Sequence, residues 1–172
     1  GKIPQTPDAH ARPWYVPAGN KHNAHSPASV PLTYDLGWLH GLYLSEGNAT
    51  YRPVDDQQAR IENGLCLGNI DASVLGKAKS FFDSLNVHSR IASGRADKIP
   101  DRLIVGWKQL AIKLGDDFGR GSYGKTVPGW VFSAPEAYRQ GVVAGHLAGD
   151  GTVFPRRDTV RIYGSSRSRL LR

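Results

Sequence analysis

The chain has no methionine and a single cysteine in 172 residues. One thiol excludes a disulfide scaffold and a zinc site built on cysteine. No run of 18 apolar residues occurs, so no segment reads as a membrane-spanning helix. The first thirty residues are polar and Pro-rich and lack the apolar stretch of a secretory signal. Acidic residues are in the minority: 15 Asp and Glu stand against 22 Lys and Arg, a net charge of +7. That balance favours a polyanionic partner without naming it. The start Gly1-Lys2-Ile3-Pro4 has two readings, a trimmed chain or an internal piece of a longer protein.

Against these absences, 40% of the residues are hydrophobic, with 4 Trp, 7 Tyr and 5 Phe. Such a chain can bury a core, and global disorder is excluded. Its length suits one domain, or two small units sharing a core. We expect an irregular leader over 1–31, which holds six prolines and no apolar period. His22 and His25 there read as polar loop residues, because no third ligand stands at a zinc-like spacing.

From Leu32 the grammar changes. Leu36 to Glu46 is apolar nearly all round and predicts a buried helix, with Thr33 or Asp35 as its cap and Gly47 as its stop. Short strands follow over 49–54 and 60–67, the second with Ile61, Leu65 and Leu67 on its buried parity. Asp71 caps a helix carrying Val74, Leu75, Ala78, Phe82 and Leu85, and Asn86 ends it. Strands at 87–92, with Val87, Ser89 and Ile91 on one parity, and at 102–105 lead to a helix over 107–118. A second apolar helix, 138–151, repeats the grammar of the first: small residues inside, an acid near the end, then glycine. Glu46 and Asp150 stand 104 positions apart (150 − 46), and an internal repeat of that length organises the chain. Strands at 152–154 and 159–163 follow, and 165–172 reads as a helix beginning.

Glycine inside a helix costs about 1 kcal/mol relative to alanine, so Gly37, Gly41, Gly141 and Gly145 need a reason. Close approach of two helices supplies one. If the helices lie parallel, Glu46 and Asp150 converge at their C-terminal ends, where two carboxylates and two helix dipoles repel. A divalent cation resolves that conflict, and hard oxygen ligands suit Mg2+. The alternative is that each acid merely ends its helix and faces water.

Leu39-His40-Gly41-Leu42-Tyr43-Leu44-Ser45-Glu46-Gly47 and Val143-Ala144-Gly145-His146-Leu147-Ala148-Gly149-Asp150-Gly151 resemble the two motifs of LAGLIDADG (dodecapeptide) homing endonucleases, the intein-associated branch above all. Gly124-Lys125-Thr126-Val127-Pro128 resembles the Lys-x-x-Pro segment ahead of the second motif. The resemblance implies an α+β fold of αββαββα repeats packed through the two motif helices, with a leader at 1–31, a first repeat at 32–134 and a second, incomplete repeat at 135–172. It implies a helix interface at Gly37, Gly41, Ala144 and Gly145. It implies a Mg2+ site at Glu46, Asp150, Gly47 and Gly151, with Lys125 assisting phosphodiester hydrolysis. The expected protein is then a site-specific endonuclease for double-stranded DNA, a monomer of two pseudo-symmetric repeats in the cytoplasm or nucleoid.

A non-cleaving DNA-binding module or an inactive intein-nuclease fragment is the alternative, and an RNA maturase a lesser one. The first acid is Glu where the family favours Asp. Gly1 and Leu171-Arg172 do not match splicing junctions. Arg52, Arg60, Arg90 and Arg102, with Arg156, Arg157 and Arg161 further on, are the expected DNA contacts, phosphates giving affinity and guanines some choice. Gly119 to Thr126 also fits the phosphate-loop pattern G-x-x-x-x-G-K-T, but a helix precedes it where a strand is required, and Pro128 and Gly129 occupy the place of the following helix.

Overall fold

The computed structural model describes residues 12–17, 27–50, 64–69, 71–94, 101–156 and 159–164, the last stretch from 152 by its backbone course. The described residues form a mixed α+β structure with small antiparallel sheets and five helices. None of those helices is long and apolar enough to cross a membrane.

The central sheet has four strands: β3 (Gly47–Thr50), β4 (Gly64–Asn69), β5 (Ser89–Ala92) and β6 (Asp101–Val105), in the order β3-β4-β6-β5, every pair antiparallel. Alternation puts Leu65, Leu67, Leu103 and Val105 on its buried face, all within 1% of full burial. The register aligns them, Leu65 beside Val105 and Leu67 beside Leu103. Helices α1 (Tyr34–Glu46), α2 (Ala72–Ser84) and α3 (Lys108–Phe118) cover that face.

Helix starts follow from local chemistry. The Thr33 hydroxyl accepts from the Leu36 amide at 3.3 Å, and the Asp71 carboxylate accepts from the Ser73 amide at 2.8 Å. Asn86 takes a left-handed conformation, φ 56°, just past the end of α2. Trp107 begins α3 with no side-chain cap. One turn of helix, α4 (Gly121–Gly124), and a 3-10 segment, Gly129–Ser133, lead to α5 (Glu136–Asp150). Strands β7 (Gly151–Arg156) and β8 (Thr159–Gly164) then pair antiparallel.

Three expectations change in detail. Gly47 does end α1, but with φ −78° rather than a left-handed turn. A side chain there would strike Tyr43, so the glycine is needed for space. Gly151 ends α5 in the same manner against Leu147. Ile91 shares the parity of Val87 and Ser89 yet is 43% exposed, because β5 is an edge strand with no neighbour on its outer flank among the described residues. The leader, read as irregular, contributes a two-residue ladder between β1 (Trp14–Tyr15) and β2 (Ser29–Val30). Trp14, Val16 and Val30 are buried in the common core.

The main packing event is α1 against α5. A Cβ at Gly41 would land on the Val142 carbonyl, and one at Gly145 on the Trp38 carbonyl. Gly37 meets Tyr138, and Gly141 meets Tyr34. The pairs interchange under the offset of 104, so a local two-fold axis runs between the helices. Contacts advance together along both helices, which makes them parallel.

Candidate functional site

Parallel packing with matched ends brings the two acids to one place. Glu46 closes α1 one residue before β3, and Asp150 closes α5 one residue before β7. A Cβ on Gly149 would meet the Ser45 side chain and come within 2.8 Å of Glu46 Cγ. Burial, then the Asp150 carboxylate, push the Glu46 carboxyl above its ordinary range, and Lys125 pulls it back. Each helix also presents the carbonyl-rich end of its dipole here.

Lys125 is 4% exposed. Burial brings its ammonium down to about 8, against the opposing pull of Asp150 and Glu46. Its Nζ lies 5.1 Å from the centre of the Tyr43 ring, a cation–aromatic contact. The glycines of the phosphate-loop-like stretch explain how it arrives. Gly119 ends α3 at φ 77°, where a side chain would hit the Gly124 carbonyl, and Gly121 follows at φ 64°. The Tyr43 hydroxyl donates to the Gly119 carbonyl at 2.7 Å, and the Thr126 amide donates to Phe118 at 2.9 Å. These glycines turn the chain back onto α1, and a helix precedes them where a phosphate loop requires a strand.

Two neighbours escaped the sequence reading. Tyr43 sits on the buried side of α1, where an aromatic reads simply as core; its hydroxyl and ring both act on the Gly119–Lys125 turn. His146 lies one turn before Asp150 on α5. Burial lowers its pKa, Asp150 raises it, and Lys125 lowers it. Its Nδ1 is buried without a hydrogen-bond partner. The i, i+4 spacing of His146 and Asp150 was the available signal.

Among the described residues no group of three His, Cys, Asp or Glu converges as a metal cluster. A cation here would rest on two carboxylates and complete its shell with water or phosphate oxygens. That donor set fits Mg2+, which keeps several waters and uses one or two carboxylates. With both acids ionised and Lys125 protonated, the trio carries one net negative charge, which a divalent ion would reverse.

Of the expected DNA contacts, Arg90 and Arg102 are exposed on the sheet face opposite the helices. Arg90 pairs with Ile104 and Arg102 with Ala92, so the two stand diagonally on adjacent strands. The described residues of that face are Asn48, Thr50, Gly64, Cys66, Gly68, Arg90, Ala92, Arg102 and Ile104, with no acid among them. Arg156 and Arg161 fall within β7 and β8. Arg52, Arg60 and Arg157 lie outside the described residues, as do His22, His25 and 165–172. Of the expected helix interface, Gly37, Gly41 and Gly145 touch the opposing backbone, and Ala144 is partly buried against the core.

No family model matches the chain. It is similar to the DNA-directed RNA polymerase subunit Rpo1C of Methanocaldococcus jannaschii, 26% identical over 141 residues. The match takes in 82% of this chain and 15% of that subunit. The chain therefore spans a small part of the length of the relative it matches. This finding corrects the expectation of a homing endonuclease, and with it the hydrolase, nuclease and intein assignments. The relative is named for RNA polymerisation, and no family model places the chain among DNA-cleaving enzymes. The physical reason for the error is visible in α1 and α5: the repeated small residues, terminal acid and glycine are each accounted for by close helix packing, which fixes an interface and leaves the chemistry open.

Proposed function

We propose that the chain is a DNA-binding segment of a transcription protein, in which the adjoining ends of α1 and α5 hold a divalent cation against a backbone phosphate. The single observation that carries this reading is the charge arrangement: a sheet face bearing Arg90 and Arg102 with no acid among its described residues, and Glu46 ending α1 at the start of the edge strand β3. The similarity to a subunit of a DNA-directed RNA polymerase supports the choice of DNA and of transcription.

The arginines attract the phosphate backbone, and their contacts make affinity depend on salt through counterion release. At the helix ends, Glu46 and Asp150 supply carboxylate oxygens to Mg2+. When bound, the ion neutralises the pair and offers open positions to a phosphate oxygen. Lys125, held by Tyr43, adds a positive charge behind that contact without entering the shell of the ion. His146, half-buried and with its pKa lowered first by that burial, bounds the site from the α5 side.

Fluorescence anisotropy of labelled duplex DNA, with and without Mg2+ and across a salt series, tests the reading. Binding is expected to weaken steeply with salt and to strengthen with Mg2+. Asp150→Asn removes the Mg2+ increment and leaves the Mg2+-free binding. Arg90→Ala and Arg102→Ala weaken binding whether or not Mg2+ is present. Absence of duplex binding, or strand cleavage by the chain in Mg2+, overturns it.

A further inference from the structure

A second cleft lies between the leader and the rest of the molecule. It is bounded by Arg12 to Tyr15, by Lys113 and Asp117 of α3, and by Trp130, Ser133 and Ala134. Its volume is about 400 Å3, in the range of small-molecule sites.

The walls combine three chemistries. The first is aromatic. Trp130 is braced by Phe118 and Tyr138, with ring centroids 5.9 and 5.8 Å away, yet 37% of it stays exposed. The other three tryptophans, Trp14, Trp38 and Trp107, are exposed by 5% or less. Tyr15, which also lines the cleft, is 61% exposed. The second is a fixed acceptor. Trp14 Nε1 donates to Asp117 Oδ2 at 2.7 Å, and Lys113 Nζ donates to Oδ1 at 2.8 Å. The carboxylate is thereby immobilised with a lone pair left on each oxygen. The third is cationic. Arg12 lines the cleft with no hydrogen bond or ion pair to a described residue, and Lys113 lines the same cleft.

An indole face, an immobilised carboxylate and an uncommitted guanidinium match the parts of a nucleotide. A base stacks on the indole, its exocyclic amine donates to the carboxylate, and its phosphate meets the guanidinium. We propose that this cleft binds one unstacked nucleotide whose base carries an exocyclic amine, with Trp130 as the stacking platform, Asp117 as base acceptor and Arg12 as phosphate ligand. An aromatic cleft also suits a proline-rich peptide, but such a peptide brings no phosphate for Arg12 and no reason for the fixed carboxylate. The inference rests on the cleft alone and stands or falls apart from the acid-pair site.

The test is quenching of intrinsic tryptophan fluorescence in the 172-residue chain, titrated with GMP, guanosine and UMP. GMP is expected to quench saturably, because Trp130 is the accessible indole. UMP, without an exocyclic amine, and guanosine, without a phosphate, bind more weakly by on the order of tenfold, the scale of a single such contact. Trp130→Ala abolishes the nucleotide-dependent signal. Arg12→Ala, a change at an exposed residue, keeps the fold and weakens GMP to the level of guanosine, read by calorimetry. The proposal is overturned if millimolar GMP gives no saturable quench, if Arg12→Ala leaves GMP binding unchanged, or if an oligoproline peptide saturates the cleft and GMP does not displace it.

Discussion

Helices α1 and α5 use one packing grammar and meet two different fates. Both place glycines four residues apart on the shared interface, and both end on an acid followed by an extended glycine. Yet α1 buries nine consecutive residues, Leu36 to Leu44, whereas α5 buries Tyr138, Gly141, Val142 and Gly145. The offset of 104 pairs Leu39, 1% exposed, with Val143, 60% exposed. The first helix is wedged between α5 and the four-stranded sheet; among the described residues the second meets only the two-stranded β7–β8 pair. The pair teaches that the inner faces are set by helix-to-helix contact alone, and that the outer faces are set by whatever sheet each helix carries.

The inner-face claim is broken most directly at the glycines. Gly41→Val and Gly145→Val each drive a side chain into backbone across the interface, where nothing flexible can yield. We expect each to cost more than about 5 kcal/mol, comparable to the whole stability of a domain of this size. Urea unfolding with far-UV circular dichroism measures it. Equal losses at the two sites would uphold the local two-fold axis, and a mild loss at either would break it.

A second difference lies inside the pair. His40 of α1 corresponds to Ala144 of α5. His40 is fully buried, its Nδ1 2.6 Å from the Tyr138 hydroxyl, with Trp14 and Phe118 rings at 4.4 and 4.7 Å. Burial, with Lys113 nearby, lowers its pKa to about 3. The folded state therefore binds this proton less readily than the unfolded one. The stabilisation is fully present above the unfolded value near 6.5 and is lost as pH falls towards 3. Between pH 7 and pH 4 the loss is about 3 kcal/mol. Stability measured against pH should show this acid limb, and His40→Phe should flatten it.

Outer faces are compared by truncation. Leu39→Ala removes a side chain sealed under the sheet and should cost about 2 to 3 kcal/mol. Val143→Ala, at the matching position of α5, should change stability by less than about 0.5 kcal/mol. Equal costs would mean that both outer faces are covered alike.

What the sequence revealed divides along the same line. Contacts that follow from one segment's own pattern were readable: Asp71 as a cap, Thr33 as one of two candidate caps beside Asp35, the parity of Leu65 and Leu67, and the interface glycines, whose helix-breaking cost demanded a close neighbour. Features that depend on a second segment were not. Ile91 looks buried by parity, and only the strand order shows that it sits at an edge. Lys125 is placed beside the acids only by the Lys-x-x-Pro resemblance, and the turn at Gly119 is what folds it against Tyr43. The acid pair could be anticipated as a place, because parallel helices with matched ends must bring Glu46 and Asp150 together. Its chemistry could not, because two acids following glycine-rich helices describe the packing whatever reaction or ligand the site serves.

Gly76 supplies the smallest test and the sharpest control. It lies inside α2, and a Cβ there would meet nothing within 4 Å. If glycines in this chain are tolerated for space, this one has no such reason. Gly76→Ala should then gain about 0.5 to 1 kcal/mol, from better helix propensity and a less flexible unfolded chain. The same substitution at Gly37 or Gly141 should lose stability, because the added methyl meets the Tyr138 or Tyr34 carbonyl. Opposite signs in thermal unfolding would separate glycine as a packing surface from glycine as an incidental helix residue. The same sign at Gly76 and at the two interface positions would remove the reason given for the repeated grammar of α1 and α5.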